Sequence, residues 1–323
     1  MRPTVGVMNC NLPGHFGHHR YLRYHDLQSA QYGGRVQKVS LNAGFTCPNR
    51  DGSLGRRGCT FCNNAGFTPA YLHRLRGVPQ QLDEGITRLR DRFPNIRHFF
   101  AYFQAYTNTY GELESLKAQY EAALAHPDVD GLVIGTRPDC LPEPLLEYLG
   151  KLARSVPVEI EIGIESCNDT ALRRVKRGHD FAASVDAIWR VAARGLPVTG
   201  HLLFGLPGET RESQLEAAAT LSQLPLASLK LHQLQVIRGT AMARDWRRNP
   251  ASLPLLGVAD YVELVVDFLE RLSPTIAIQR IGSEVPARMR LAPDDAIPLS
   301  ALQPRVATRL AERKTWQGRL FQG

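Results

Sequence analysis

Between about residues 36 and 237, apolar patterns typical of strands and of helices alternate regularly along the chain. Period-two or uninterrupted apolar runs favour strands, and apolar residues three or four apart favour helices. The predicted strands are Val36–Leu41, Ile96–Phe103, Leu132–Ile134, Val158–Ile164, Val198–Phe204 and Ser228–Val236. The predicted helices between them are Pro79–Phe93, Glu112–Ala125, Glu143–Arg154, Phe181–Arg194 and Glu209–Leu224. This order predicts parallel βαβ units in an α/β fold, either a (β/α)6 partial barrel or an open doubly wound sheet.

The flanking segments divide the chain into three predicted parts: an N-terminal arm over 1–35, a core over 36–245, and an α-rich C-terminal extension over 246–323. The arm is basic and aromatic, which suits phosphate contact and base stacking, or it is a loosely packed lead-in to the core. The residues that give it this character are His15, His18, His19, Arg20, Tyr21, Arg23, Tyr24 and His25. The extension contains a connection, two helices and a weaker strand pattern: Asp245–Gly257, Val258–Leu272, Leu299–Arg313 and Thr275–Ile281.

Charge and hydropathy narrow the class of protein. No apolar run approaches the roughly 20 residues that cross a bilayer, and the N-terminus lacks the apolar stretch of a signal peptide. We therefore expect a soluble, cytoplasmic protein without a membrane partner. The net charge of +8 favours a polyanionic partner such as RNA, with a solvated basic surface as the alternative. Nothing in the sequence indicates the oligomeric state.

In either α/β architecture, chemistry belongs at the carboxyl ends of the strands. Polar segments follow five of the predicted strands there: the cysteine cluster, Gln104–Thr109, Thr136–Asp139, Glu165–Ser166 and Gly205–Thr210. The fourth strand also alternates along its length, so its valine and isoleucines share one face. Its glutamates share the other face, where a partial barrel would point them into the lumen and they would need basic or ligand partners.

Three of the six cysteines crowd together, with eleven residues between Cys47 and Cys59 and two between Cys59 and Cys62. Clustered cysteines in a cytosolic protein favour metal binding over disulfides. Thiolates are the usual ligands of iron–sulfur clusters, and three of them would leave one iron open for a cofactor. The alternative from spacing is a zinc site completed by a nearby histidine such as His73. The other cysteines, Cys10, Cys140 and Cys167, are isolated.

The loop over 47–62 resembles the cluster loop of radical S-adenosylmethionine (SAM) enzymes. Its surroundings are similar to one bacterial subfamily, the YhcC/YtqA-type proteins, which are relatives of the radical SAM part of Elongator-like enzymes. The resemblance covers nearly the whole chain and includes Lys38–Gly52, Ala101–Tyr110, Gly135–Asp139, Gly205–Thr210 and Arg313–Gly318. It implies a (β/α)6 partial TIM barrel of radical SAM type, with a [4Fe–4S] cluster on Cys47, Cys59 and Cys62 and with SAM as cofactors.

The resemblance also implies contacts with SAM. Phe61 holds the aromatic position before the third cysteine, close to the adenine. Gln104 and Thr107 stand where relatives have a glycine-rich turn near the methionine amino group, so the contact there comes from a side chain or is arranged differently. Glu165 and Ser166 take the place of a Gln-Ser pair that contacts the ribose in related enzymes. Compared with the glutamine amide, the Glu165 carboxylate still accepts hydrogen bonds from ribose hydroxyls but has no N–H to donate.

Two further SAM contacts are implied, by Arg177 at the SAM carboxylate and by Gly205 in the turn beside the adenine wall. His201 stands in that wall where relatives often have Asp. The substrate contacts that we expect come from charged or imidazole side chains: Arg137, Glu161, Lys230 and His232. Two alternatives remain, that Arg137 pairs with Glu161 and that His232 is a buried, satisfied histidine. No catalytic residue is assigned.

The activity implied is reductive cleavage of SAM, with one electron from a donor such as flavodoxin or ferredoxin. This cleavage gives methionine and a 5′-deoxyadenosyl radical that abstracts a substrate hydrogen. The implied substrate is tRNA at the C5 side chain of the wobble uridine, with conversion of carboxymethylaminomethyl to aminomethyl. Two alternatives stay open: a radical SAM oxidoreductase that acts on a small metabolite or a protein, and a non-enzymatic metal-bearing RNA-binding protein.

Overall fold

The computed structural model describes residues 16–66, 68–69, 72 and 77–323. Seven strands form one parallel sheet in the order β1-β2-β3-β4-β5-β6-β8, and β7 and β9 form a small antiparallel ribbon. The strands are β1 Arg35–Leu41, β2 Ile96–Phe103, β3 Val129–Thr136, β4 Val158–Glu165, β5 Val198–Phe204, β6 Ser228–Gln233, β7 Val236–Ile237, β8 Ala277–Ile281 and β9 Arg290–Ala292.

Helices connect the strands and cover one face of the sheet. They are α1 Tyr24–Tyr32, α2 Pro48–Asp51, α3 Val78–Arg92, α4 Leu113–Leu124, α5 Glu143–Leu152, α6 Asp169–Arg174, α7 Phe181–Ala192, α8 Arg211–Ser222, α9 Ala241–Arg248, α10 Val258–Arg271 and α11 Leu299–Glu312. Among the residues described, no helix is both long enough and apolar enough to cross a membrane.

The sheet is a curled half-barrel, which confirms the partial TIM barrel and excludes the doubly wound sheet. A doubly wound sheet reverses its strand order at a switch point, whereas here the order follows the chain from β1 to β8. All six strands predicted in the core are present. The weaker strand pattern over Thr275–Ile281 forms β8, which pairs in parallel with β6 as the seventh strand.

Two local predictions are wrong. The stretch Ser228–Val236 is not one strand: β6 ends at Gln233, and Val236 begins the separate strand β7. The connection Asp245–Gly257 overlaps a helix, because α9 runs over Ala241–Arg248 and buries only Met242 and Ala243 against the core. The predicted boundaries at residues 35 and 245 stay a prediction.

The core lies between the outer face of the sheet and the helices, and β4 shows why. Its alternation puts Ile160, Ile162 and Ile164 on the outer face, where they are fully buried among apolar side chains. Burying each of these side chains stabilises the fold by about 1.5–3 kcal/mol. The same alternation points Glu159 and Glu161 into the lumen, as the sequence predicts for a partial barrel.

The described part of the N-terminal arm lies across the gap between the two edge strands. The Leu22 carbonyl accepts a hydrogen bond from the Ile278 amide at 2.7 Å, and α1 packs against both β1 and β8. Tyr21 is buried, and the Tyr24 hydroxyl donates to the Glu159 carboxylate. These two rings are therefore not available for base stacking. His15 lies outside the described residues.

Candidate active site at the carboxyl ends of the strands

A cavity of about 240 Å³ opens at the carboxyl ends of the strands and continues into the lumen. Its walls come from the cysteine loop and from strands across the whole sheet, as expected where parallel strands end at one edge. It brings together the three cysteines and most of the other predicted site residues. Those that line it are Cys47, Cys59, Cys62, Phe61, Gln104, Thr107, Arg137, Glu161, Glu165, Arg177, Lys230 and His232.

The cysteine loop is ordered by hydrogen bonds from the side chains of two of its own residues. Asn49 donates through Nδ2 to the Lys176 carbonyl at 2.7 Å and reaches Cys59 Sγ at 3.5 Å. Arg50 donates to the Cys62 carbonyl at 2.9 Å. Cys59 is buried, Cys47 and Cys62 are half-buried, and all three thiols are free. The loop therefore presents three sulfur ligands to one cavity.

Beside the loop, the Arg177 guanidinium is buried and faces the cysteines. Its Nη1 lies 3.7 Å from Cys59 Sγ, and its Nη2 donates to the Gly163 carbonyl at 2.7 Å. Burial lowers the pKa of Arg177, but the nearby carboxylate of Glu165 and the Cys59 sulfur outweigh it and raise that pKa. A Cβ at Gly163 would lie 2.5 Å from Arg177 Nη2 and 2.8 Å from a Glu165 carboxylate oxygen, so alanine there would force these side chains to move.

Arg137 pairs with Asp139 and not with Glu161, which excludes the pairing considered from the sequence. Its Nε and Nη2 bind the two Asp139 carboxylate oxygens at 2.9 and 2.7 Å, and its Nη1 donates to the Arg177 carbonyl at 2.8 Å. Such a bidentate pair fixes the guanidinium plane. Arg137 thus holds the backbone at Arg177 in place, and three of its five N–H donors are already used.

Glu161 is the centre of a buried network in the lumen. Its carboxylate is fully buried and accepts hydrogen bonds from Lys230 Nζ at 2.6 Å and Lys38 Nζ at 2.9 Å. The Tyr102 hydroxyl donates to it at 2.5 Å, and His201 Nε2 lies 3.0 Å from Oε2. These four partners satisfy the carboxylate, as a charge in a low-dielectric lumen requires.

The network shifts the pKa values of its members in different directions. Burial raises the pKa of Glu161, but Lys230 and Lys38 outweigh it and hold that pKa well below the usual range. Burial lowers the pKa of Lys230 to about 7, because Lys38 and Arg280 offset part of the attraction of Glu161. Glu161 is therefore ionised at neutral pH, whereas Lys230 is only partly protonated there.

The remaining predicted cofactor contacts divide into two groups. Phe61, Gln104 and Thr107 line the cavity, and the Gln104 side-chain oxygen accepts from the Ser40 hydroxyl at 3.0 Å. Ser166 and Gly205 do not line it. Ser166 is fully buried, and its hydroxyl donates to the Glu209 carboxylate behind the cavity wall. Their roles as SAM contacts stay a prediction.

Three residues of the lumen were missed from the sequence: Lys38, Tyr102 and Arg280. Lys38 shares the lumen face of β1 with Val36 and Ser40, a period-two signal that could have found it. Tyr102 lies in a run that is apolar on both faces, so no alternation in the sequence indicates that its side chain points into the lumen. Arg280 lies on β8, which is far along the chain from the cysteine loop.

Within the described part of the chain, no three His, Cys, Asp or Glu side chains form a site for a single metal ion. His73, considered as a zinc ligand, lies outside the described residues. A cubane cluster takes its thiolates on different irons, and three thiols that line one cavity suit such a cluster. Donors aimed at the sulfur, as from Asn49 and Arg177 to Cys59, are suited to a negatively charged thiolate.

Family comparisons agree with this geometry. Residues 50–221 match the radical SAM superfamily, and residues 226–312 match the radical SAM C-terminal domain. The chain is similar to YtqA of Bacillus subtilis, with 33% identity and 93% coverage of each chain. It is also similar to YhcC of Escherichia coli, with 34% identity over 81% of this chain and 83% of the relative.

More distant matches extend to enzymes with longer chains. A tRNA uridine(34) acetyltransferase of Dehalococcoides mccartyi is 27% identical over 55% of this chain and 38% of its own. Among solved structures, Elp3 of Methanocaldococcus infernus superposes with a TM-score of 0.67 at 19% identity, covering 87% of this chain and 64% of that one. The solved structure supports the fold alone.

Proposed function

Because the chain belongs to the radical SAM superfamily, whose cofactors are a [4Fe–4S] cluster and SAM, we propose that Cys47, Cys59 and Cys62 hold the cluster in the cavity. The observation that carries this proposal is the meeting of three free thiols at one cavity mouth, beside a buried guanidinium. When bound, the cluster and SAM supply one-electron reductive cleavage of the sulfonium.

The other residues of the cavity would position SAM and exclude water. Arg177 presents a fixed positive charge next to the cysteines, where a carboxylate of the cofactor would pair with it. Phe61 packs against an apolar cluster that includes Leu206 and Leu234, and it lines the cavity, where its ring would stack on an adenine. Glu165 keeps acceptors for ribose hydroxyls.

We extend the proposal to a tRNA substrate, modified at the C5 side chain of the wobble uridine from carboxymethylaminomethyl to aminomethyl. Support comes from the net charge of +8 and from the similarity to a relative named for tRNA uridine 34. The mouth of the cavity adds to it, because exposed Arg57 and Arg244 line a depression next to Cys62. Cationic side chains at such a rim suit contact with phosphates.

The test is anaerobic reconstitution with iron and sulfide, followed by SAM, dithionite and measurement of 5′-deoxyadenosine. The reaction is run with and without tRNA that carries the immature wobble uridine. We expect product that rises with the tRNA and disappears in Cys59→Ala. Cys140→Ala is the matched control, because this buried cysteine lies outside the loop and should leave iron content unchanged.

The outcomes separate the levels of the proposal. Product that is indifferent to tRNA would support the radical SAM activity and count against the RNA substrate. An intact cluster without any product would count against the enzymatic activity itself. Full iron and sulfide content in Cys59→Ala would contradict the assignment of the cluster ligands.

A further inference from the structure

The guanidinium of Arg280 is a cation in the cavity wall that has no partner among the residues that the structure describes. Arg280 lies on β8 beside Lys230 of β6, its register partner, and both line the cavity. Among the described residues, the Arg280 side chain forms no hydrogen bond and no ion pair, whereas Arg177 and Arg137 each pair with a carboxylate. A half-buried charge without a partner is costly unless a ligand supplies one.

When Lys230 is protonated, the charges of the lumen balance without Arg280. The carboxylates of Glu159 and Glu161 bind Lys38, and Glu161 also binds Lys230. Arg280 is therefore an additional positive charge on this side of the cavity. Glu284 also lines the cavity, but it is exposed, and within the described ranges it forms no ion pair with Arg280.

A second donor stands beside this charge. His232 shares the lumen face of β6 with Lys230, and its ring lies 5.4 Å from the ring of His201. In the described part of the molecule, no hydrogen bond is formed by the His232 imidazole. This finding removes the interpretation of His232 as a satisfied core histidine. Burial lowers the pKa of His232 well below the usual range, so the neutral ring offers one N–H to an acceptor.

We propose that Arg280 binds a carboxylate of the substrate, with the His232 imidazole as a second donor and Lys230 beside them. A guanidinium matches the planar carboxylate in bidentate geometry. A terminal group is required, because the site lies in the lumen beside the buried Glu161, which a phosphodiester with chain on both sides would not reach. The identification of this group with the carboxymethyl end of the wobble-uridine side chain rests on the proposed function.

The experiment compares a carboxylate with its neutral amide. An anticodon stem-loop RNA with 5-carboxymethylaminomethyluridine, and the same RNA with the side-chain carboxamide, are bound to cluster-loaded protein. The free nucleosides are bound in parallel by calorimetry. The proteins are wild type, Arg280→Gln, Arg280→Lys and the control Arg154→Gln, which removes an exposed guanidinium just beyond the end of α5. Circular dichroism and iron content verify folding, and SAM affinity is measured separately.

We expect the wild type to prefer the carboxylate in both RNA and nucleoside, and Arg280→Gln to lose about 10- to 100-fold of that preference. The preference of Arg280→Lys should lie between those of the wild type and Arg280→Gln, because lysine keeps the positive charge but cannot bind the carboxylate with two parallel hydrogen bonds. Arg154→Gln should behave as wild type. SAM affinity and binding of the amide should change less than about threefold in every variant.

Each other outcome decides one proposal. A wild type that binds RNA without preferring the carboxylate contradicts the role of Arg280 and leaves the proposed substrate intact. Preference for the carboxylate nucleoside that Arg280→Gln abolishes, without any binding of RNA, supports the role of Arg280 and removes tRNA as substrate. A loss of SAM affinity in Arg280→Gln would assign the guanidinium to the cofactor and overturn the inference. The inference would also be overturned if the wild-type protein bound the carboxylate no better than the carboxamide, both in the RNA and in the nucleoside.

Discussion

Replacing Glu161 by Gln removes the only carboxylate that Lys230 pairs with among the described residues, and its effect on stability can be worked out from the contacts. Glu161 is fully buried and binds Lys230 at 2.6 Å and Lys38 at 2.9 Å. Lys38 keeps a second partner, because Glu159 lies 3.3 Å away. The variant therefore leaves one buried ammonium without a counter-charge.

Breaking a buried ion pair from one side costs about 3–5 kcal/mol. We expect the lower end, about 3 kcal/mol at pH 7, because the pKa of Lys230 is already about 7 and the lysine can lose its proton. The folded pKa of this lysine lies below its unfolded value, so folding stability rises with pH between the two. In the wild type this dependence begins at about pH 7, and in Glu161→Gln it begins lower.

The difference between the two proteins should therefore widen below pH 7. Between pH 7 and pH 6, the variant loses up to about 1.4 kcal/mol that the wild type keeps. Burial and the nearby Lys230 lower the pKa of His201, which opposes its protonation over this pH range. Above pH 7.5 the difference should be constant.

The assay is urea unfolding of the metal-free proteins at pH 6, 7 and 8, followed by tryptophan fluorescence. Glu114→Gln is the matched control: within the described ranges this exposed glutamate pairs with Lys117 alone, and its replacement should cost less than about 1 kcal/mol. A Glu161→Gln protein within about 1 kcal/mol of wild type at pH 7 would refute the reasoning. A difference that stays flat from pH 7 to pH 6 would refute the role of Lys230.

Three further predictions test other parts of the site and core. Gly163→Ala should weaken SAM binding at least about tenfold in equilibrium dialysis while iron is retained, because the new Cβ would lie 2.5 Å from the Arg177 guanidinium. Gly111→Ala is the control: a Cβ there would make only ordinary van der Waals contacts, so SAM binding should not change. Burial raises the pKa of Glu209 from 4.5 to about 7, so the folding stability that this group contributes is lost as pH rises through 7. Glu209→Gln does not ionise, so between pH 5 and pH 8 its free energy of unfolding should rise by up to about 3 kcal/mol relative to that of the wild type. Ile162→Ala should cost about 2–5 kcal/mol in urea unfolding, because the side chain is fully buried, and a smaller loss would show that the core relaxes there.

The sequence predicts those parts of the site in which residue type and residue spacing point to the same chemistry. Three thiols within a short loop predict metal binding in almost any fold, and the alternation of β4 put Glu161 on a buried face where it needed cations. Lys230 followed from the same period-two argument on β6. Each of these predictions depends on residues that are close in sequence, so local pattern was sufficient.

The rest of the site depends on pairing between strands that are distant in sequence and on local backbone geometry. Arg280 enters the site only because β8 pairs with β6, and no local pattern reports which strands are neighbours. Ser166 was expected beside Glu165, but Glu165 has a positive φ of 68° and the register with β5 shifts between Gly163 and Glu165. The chain turns there, so Ser166 points at Glu209 and not at the cavity. A positive φ outside glycine has no signal in the sequence.

The buried network is costly, and its cost bears on what it does. Replacing a buried ion pair by apolar residues of similar volume is often neutral or stabilising, so the charges of Glu161 and Lys230 are not needed to hold the barrel together. We therefore expect the double variant Glu161→Gln, Lys230→Met to recover at least half of the stability lost in Glu161→Gln. The same protein should bind the carboxylate and carboxamide nucleosides less selectively than wild type, because Lys230 stands beside Arg280 on the lumen face. Recovered stability with lost selectivity would show that the network serves the ligand. Recovered stability with full selectivity would restrict the recognition of the carboxylate to Arg280 and His232.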